Sequence, residues 1–329
     1  MDLVTGAAGF IGRHLVQTLT AQGRRVRGLD LLAKPPEARA DWVQGSLLDP
    51  AVLDRALVGV TRVFHLAAIP HFWTRERDAH RLVNLEGTKA VVAAARRAGV
   101  AKLVHCSTEA ILLPESEGQT IDGCRQPSLA AMPGPYTRSK LLAEEVALAA
   151  HDLAAVAVNP TAPIGPGDNA LTPPMRMLQD LLQGRYPAYL DCTLNLVDVR
   201  DVAQGHLLAA DHGKPGQRYL LGGENLRLST LLQCLGALSG KPMPKRQVPA
   251  WLALASAHIG SWLADNLTGR PPPATPEAVR LALAAAPLSS ALAETEIGYR
   301  ARPLDQALAD AIADLAKRGT GPRRGAAQA

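Results

Sequence analysis

Tyr136-Thr137-Arg138-Ser139-Lys140 sets a phenol and an ammonium group four residues apart. On a helix that spacing puts both on one face. A phenol ionises near pH 10 in water, so it relays protons well only beside a cation that favours the phenolate. Such a pair suits chemistry in which a hydroxyl oxygen gains or loses a proton. Tyr-x-x-x-Lys alone is common on helix surfaces, and its weight here comes from what surrounds it. A third polar group is expected in His105-Cys106-Ser107-Thr108-Glu109, at a strand end. Either Ser107 or Thr108 offers a hydroxyl to a substrate oxygen there; the plain alternative is a hydroxyl that caps a turn.

The elements needed to position these groups are legible nearby. Leu3-Val4-Thr5 reads as a strand, Ile11 to Gln22 has helical spacing, and Thr5-Gly6-Ala7-Ala8-Gly9-Phe10-Ile11-Gly12 joins them. Glycines at such a junction let backbone N–H groups approach a pyrophosphate, and the helix amino terminus adds its partial positive charge. Arg25 to Leu29 is the next strand, ending at Asp30. A carboxylate there accepts hydrogen bonds from adenosine ribose hydroxyls and repels a 2′-phosphate, which favours NAD. Arg24, Arg25, Arg27 and Lys34 are close in sequence and keep NADP open.

Further along, Val52–Leu57, Arg81–Ala98 and Tyr136–His151 read as helices; Arg62–Leu66, Lys102–Cys106 and Ala155–Asn159 read as buried strands. Repeated β-α units of this kind predict an α/β fold, a Rossmann-type doubly wound parallel sheet. From Pro160 the texture changes to proline-rich loops and helices. The expected division is a dinucleotide-binding domain over residues 1–158, to which residues 193–212 return, and a mainly helical substrate lobe over 159–316. Residues 317–329 form a basic tail expected to be disordered.

Of the +5 net charge, Lys317, Arg318, Arg323 and Arg324 lie in that tail, leaving a body near +1. No nucleic-acid surface is implied. Cys106, Cys124, Cys192 and Cys234 are widely spaced without a Cys-x-x-Cys pair, so neither a metal centre nor a disulfide framework is expected. The apolar run Trp251–Leu263 carries His258 and two serines, and is too short and polar to span a bilayer. Its Trp251–Trp262 part is expected to be core. With no signal peptide recognised at the start, the expected location is cytoplasmic.

The chain resembles the extended short-chain dehydrogenase/reductase superfamily over nearly its whole length. The likeness is carried by TGAAGFIG (Thr5–Gly12), VFHLAA (Val63–Ala68), NLEGTK (Asn84–Lys89), STEA (Ser107–Ala110), YTRSK (Tyr136–Lys140) and NPTAPIGPGD (Asn159–Asp168). Pro187–His206, Arg218–Leu226 and Ile297–Leu308 are similar to hopanoid-associated sugar epimerases and dihydroflavonol-reductase-like proteins. The resemblance implies a Thr108–Tyr136–Lys140 triad, Thr108 being preferred because a catalytic threonine begins the corresponding run in sugar-nucleotide dehydratases. It also implies Asn84 as support of the active-site helix and a homodimer built on the helices Arg81–Ala98 and Tyr136–His151. It lays the dinucleotide along Gly6, Ala8, Gly9, Phe10, Ile11, Gly12, Asp30, Ser46, Leu47, Leu66, Ala67, Ala68, Cys106, Ser107, Tyr136, Lys140, Asn159, Pro160 and Ala162. Ser46 stands where many relatives carry an aspartate, and Leu194 stands near where nucleotide-sugar epimerases carry a diphosphate-binding arginine.

The expected activity is a carbonyl reductase or alcohol dehydrogenase acting on an apolar small molecule, with His71, Phe72, Trp73 and Thr108 at the substrate. A nucleotide-sugar epimerase or dehydratase is the alternative, and a non-catalytic dinucleotide sensor is the second.

Overall fold

The computed structural model describes residues 1–319 except Glu117 and Arg125. Its first half runs β1 (Asp2–Thr5), α1 (Phe10–Ala21), β2 (Val26–Asp30), β3 (Asp41–Gln44), α2 (Pro50–Leu57), β4 (Arg62–His65), α3 (Gly87–Arg97), β5 (Lys102–Cys106), α4 (Pro135–Leu148) and β6 (Val156–Pro160). The second half adds β7 (Ala162–Ile164), α5 (Pro173–Leu182), β8 (Ala188–Tyr189), β9 (Thr193–Asp198), α6 (Val199–His212), β10 (Arg218–Leu221), β11 (Glu224–Arg227) and α7 (Leu228–Ser239). It closes with β12 (Arg246–Gln247), α8 (Ala250–Leu263), α9 (Pro276–Ala284), α10 (Ala291–Glu296) and α11 (Leu304–Gly319).

Seven strands form one sheet in the order β10-β6-β5-β4-β1-β2-β3, all neighbours parallel. Chain order reverses between β1 and β4, which opens a crevice at their carboxyl ends where doubly wound folds take ligands. Apolar residues cover both faces. Leu15, Leu19, Val202 and Leu207 pack on one side with Phe64 and Val158; Val52, Leu53, Val91 and Ala147 pack on the other with Leu3 and Leu103. α6 lies against α1, and β9 pairs with β7 and β11 in a separate three-stranded sheet. A third apolar core gathers Met175, Leu178, Leu231 and Leu308.

Four features differ from expectation. β3 was not anticipated: both ends of Asp41–Gln44 are polar and exposed, so it carries no apolar run to read. The helix expected over Arg81–Ala98 begins with a π turn, Arg81–Glu86, before α3. Lys317 and Arg318 belong to α11, where Arg318 pairs with Asp314 at 2.7 Å; the rest of the expected tail lies outside the described residues. Finally, Trp251–Trp262 is not core. Of α8 only Ala257 is buried, while Trp251 is 70% and Trp262 58% exposed.

Candidate active site

Tyr136 and Lys140 lie on the inner face of α4, both buried. Pro135 opens the helix with a fixed φ, and Gly134 before it leaves room for the carboxylate of Glu277. The Lys140 ammonium donates to the Cys106 carbonyl at 2.7 Å, tying α4 to the end of β5. Burial lowers its pKa. The Tyr136 phenol is pushed up from its ordinary value, first by burial and then by the Glu109 carboxylate; a hydrogen bond with Thr108 works the other way. Lys140 is thus held by a carbonyl in this arrangement. Phe72 sets its ring edge-on to Tyr136, centroids 5.0 Å apart, which fixes the phenol's plane.

Thr108 Oγ1 donates to Glu109 at 3.0 Å and accepts from the Ala110 amide at 3.2 Å. The Ser107 hydroxyl is buried with no partner among the described residues. Both residues line the same cavity as Tyr136. Asn84, in the π turn, bonds both polar groups of Ile69 and donates to Ser139 Oγ at 3.0 Å. Ser139 in turn donates to the Tyr136 carbonyl at 2.8 Å, so Asn84 braces the helix one step from the phenol.

Three supporting residues escaped sequence reasoning. Glu277 of α9 accepts from the backbone amides of Tyr136 (3.3 Å) and Thr137 (2.8 Å) and from the Thr137 hydroxyl (2.7 Å). A carboxylate from α9 thereby caps the positive end of the tyrosine helix. Buried Glu144 accepts from Arg218 at 2.6 Å and from Asn159 at 2.8 Å, and Asn159 also donates to the Thr108 carbonyl. Glu144 follows Lys140 by four residues on the same helix face, a spacing that signals it; nothing local signals Glu277 or Arg218.

The glycine loop is tight. A Cβ on Gly6 would lie 2.7 Å from the Ala67 amide nitrogen, and one on Gly12 2.1 Å from the Gly6 carbonyl oxygen. α1 starts with no side-chain cap and no acid in its first turn, leaving its amide end open to an anion. The Asp30 carboxylate accepts from Ala8 N and Leu32 N, each at 2.9 Å. Arg24 is spent on Asp2, and Arg27 on carbonyls of Ala56 and Val58, which removes two of the cations that could have met a 2′-phosphate. These residues fit a dinucleotide whose pyrophosphate meets the start of α1.

One cavity of about 790 Å³ joins this cradle to the tyrosine and to residues of α8 and α9. Gly6, Gly9, Phe10, Ile11, Gly12, Leu66, Ala68, Cys106, Ser107, Thr108, Tyr136, Lys140, Pro160 and Ala162 line it. Ala8, Asp30, Ser46, Leu47, Ala67 and Asn159 stand outside its described lining. Ser46 Oγ accepts from Leu48 N at 3.1 Å. Of the aromatic trio only Phe72 reaches the cavity. The His71 carbonyl accepts from His80, and Trp73 Nε1 donates to Asp265. Beyond the tyrosine the walls include Leu112, Ile121, Met177, Leu181, Leu194 and Leu281; among the described lining the charged side chains are Glu109 and Lys140.

Residues 3–222 match the NAD-dependent epimerase/dehydratase family. The chain belongs to that family. It is accordingly an NAD(P)-dependent oxidoreductase, and relatives named as reductases or demethylation enzymes resemble it over most of its length. A putative dihydroflavonol 4-reductase of Synechocystis is 39% identical, covering 78% of this chain and 77% of that protein. Sterol demethylase protein B of Methylococcus capsulatus is 34% identical, covering 75% and 77%. The crystal structure of gox2253 superposes with a TM-score of 0.85 at 36% identity, covering 98% of this chain and 99% of that one. No helix among the described residues is long and apolar enough to cross a membrane.

Proposed function

We propose that this family member is a carbonyl reductase or alcohol dehydrogenase for an apolar, isoprenoid or polycyclic substrate. The observation that carries this reading is the cavity beyond Tyr136, whose described lining is mostly apolar with scattered hydroxyls and Asn195, and whose charged side chains are Glu109 and a lysine already bonded to the Cys106 carbonyl. A nucleotide-sugar diphosphate needs a cation, and its loss costs roughly 1.5–3 kcal/mol per charge-assisted contact. An apolar ring system gains about 25 cal/mol per Å² removed from water. Kinship with sterol demethylase protein B points the same way.

In this reading NAD(H), when bound, supplies or accepts the hydride. Tyr136 gives or takes the proton at the substrate oxygen, with Thr108 Oγ1 holding that oxygen in line. Lys140 and Asn84 keep α4 and the phenol in register, Phe72 shields the phenol's flank from water, and Asp30 holds the adenosine ribose.

With the protein saturated in NADH, UDP-hexose binding is measured by calorimetry beside NADH oxidation with sterol 3-ketones and long-chain ketones. Oxidation by the apolar ketones and no measurable UDP-hexose binding are expected. Micromolar UDP-hexose binding with 4-epimerisation overturns the proposal in favour of the epimerase.

A further inference from the structure

From Gly240 to Pro276 the chain carries Lys241, Lys245, Arg246 and Arg270 against a single acid, Asp265. At the centre of this stretch lies α8, whose residues are apolar around nearly the whole circumference. A helix of that kind belongs inside a core or against lipid. Yet α8 packs mainly against α9, and of its residues only Ala257 is buried. Trp251 and Trp262 are eleven residues apart, which returns them to within about 20° of the same face and sets them roughly 16 Å apart along the axis. Ile259 (61% exposed), about 80° round from Trp251, widens that surface, exposed His258 lies between the two tryptophans, and Leu267 (70%) follows past the helix end. Exposed Lys245 and Arg246 stand before the helix; Arg270 follows it, and Arg75 lies against Gly269.

We infer that α8 is a monotopic membrane-docking helix that lays its Trp251–Trp262 face into an anionic lipid surface. Tryptophans suit the headgroup boundary, where an apolar ring and a polar N–H are both satisfied, and cations at both ends meet lipid phosphates. Those flanking charges also argue against a second copy of this chain as the occupant. With both ends of the helix basic, a self-pair in either orientation sets cations against cations. The inner side of the same helix, at Ala253 and Ser256, lines the cavity above Tyr136, so an apolar compound dissolved in the bilayer has a short route to the site. The docking itself does not depend on which substrate is used.

The full-length protein is sedimented with phosphatidylcholine vesicles containing or lacking phosphatidylglycerol, and tryptophan emission is followed with brominated acyl chains. Binding to the phosphatidylglycerol vesicles, weakened by salt, with quenching by the bromolipid, is expected. Trp251→Ser and Trp262→Ser should each weaken partitioning about tenfold, since each withdraws one large apolar side chain from lipid. Lys245→Glu with Arg246→Glu should abolish the preference for phosphatidylglycerol. The quenching is read on the wild-type chain and stands even if a variant fails to fold. Absence of wild-type binding, binding undiminished in both tryptophan variants, or a stable dimer whose tryptophans are shielded from acrylamide would each overturn the inference.

Discussion

Tyr136 and Asp30 each carry a question that one substitution answers. Tyr136→Phe keeps the ring that Phe72 packs against and removes only the hydroxyl, so NADH affinity should persist while turnover falls about 10²- to 10⁴-fold. Turnover on an accepted ketone, with NADH titrated by fluorescence, checks this; retention of most activity would remove Tyr136 from the proposed chemistry. Asp30 already accepts two backbone amides, so its carboxylate is held where it stands. A 2′-phosphate brought beside it meets like charge, with Arg24 and Arg27 engaged elsewhere. NADH should therefore bind more tightly than NADPH at equal ionic strength, and the reverse order would make Arg25 or Lys34 a phosphate ligand.

At the scale of elements, the tyrosine helix is anchored from three directions: Asn84 through Ser139, Cys106 through Lys140, and Glu277 from α9. Glu277→Ala strips three hydrogen bonds from the start of α4 and should lower stability by about 2–3 kcal/mol and kcat with it. Glu277→Gln, which keeps an acceptor without the charge, should recover part of both; urea unfolding and initial rates measure the two effects. The contrast between Lys140 and Glu277 shows what a sequence makes legible. Tyr136 and Lys140 are neighbours on one helix turn, and Gly6 and Gly12 flank one strand-to-helix junction, so spacing alone exposes them. Glu277 reaches Thr137 over 140 residues, and Arg218 reaches Glu144 over 74, distances at which only the fold brings groups together. The same limit governs α8. Its apolar composition reads as core, but whether a face has a partner is decided by packing, and here only Ala257 of the helix is buried.

Across the whole molecule, buried titratable groups set how stability follows pH. Burial holds His65 down to about 3 and His206 to about 4, and His105 well below its usual value. Below pH 6.5 the unfolded chain takes up protons on these imidazoles that the folded state refuses, so each withdraws roughly 1.4 kcal/mol per pH unit as the solution is acidified. Glu109 acts in the opposite sense. Burial lifts its carboxyl to about 7, against hydrogen bonds from Thr108 and nearby amides. Between about pH 4.5 and 7 the folded state keeps a proton that the unfolded Glu109 has lost, so this residue's contribution falls as pH rises. Three histidines outweigh one glutamate, and the protein should lose stability steadily from about pH 6.5 downward. Glu109→Gln cannot ionise. It should be more stable than wild type at pH 8, by on the order of 3 kcal/mol, because the cost of a buried carboxylate is gone. Its acid slope below pH 6.5 should be steeper, since the offset from Glu109 is gone as well. Urea midpoints from pH 5 to 8 measure both effects. A variant less stable than wild type at pH 8, with an unchanged acid slope, would mean that Glu109 is already solvated as an ordinary carboxylate at the cavity wall.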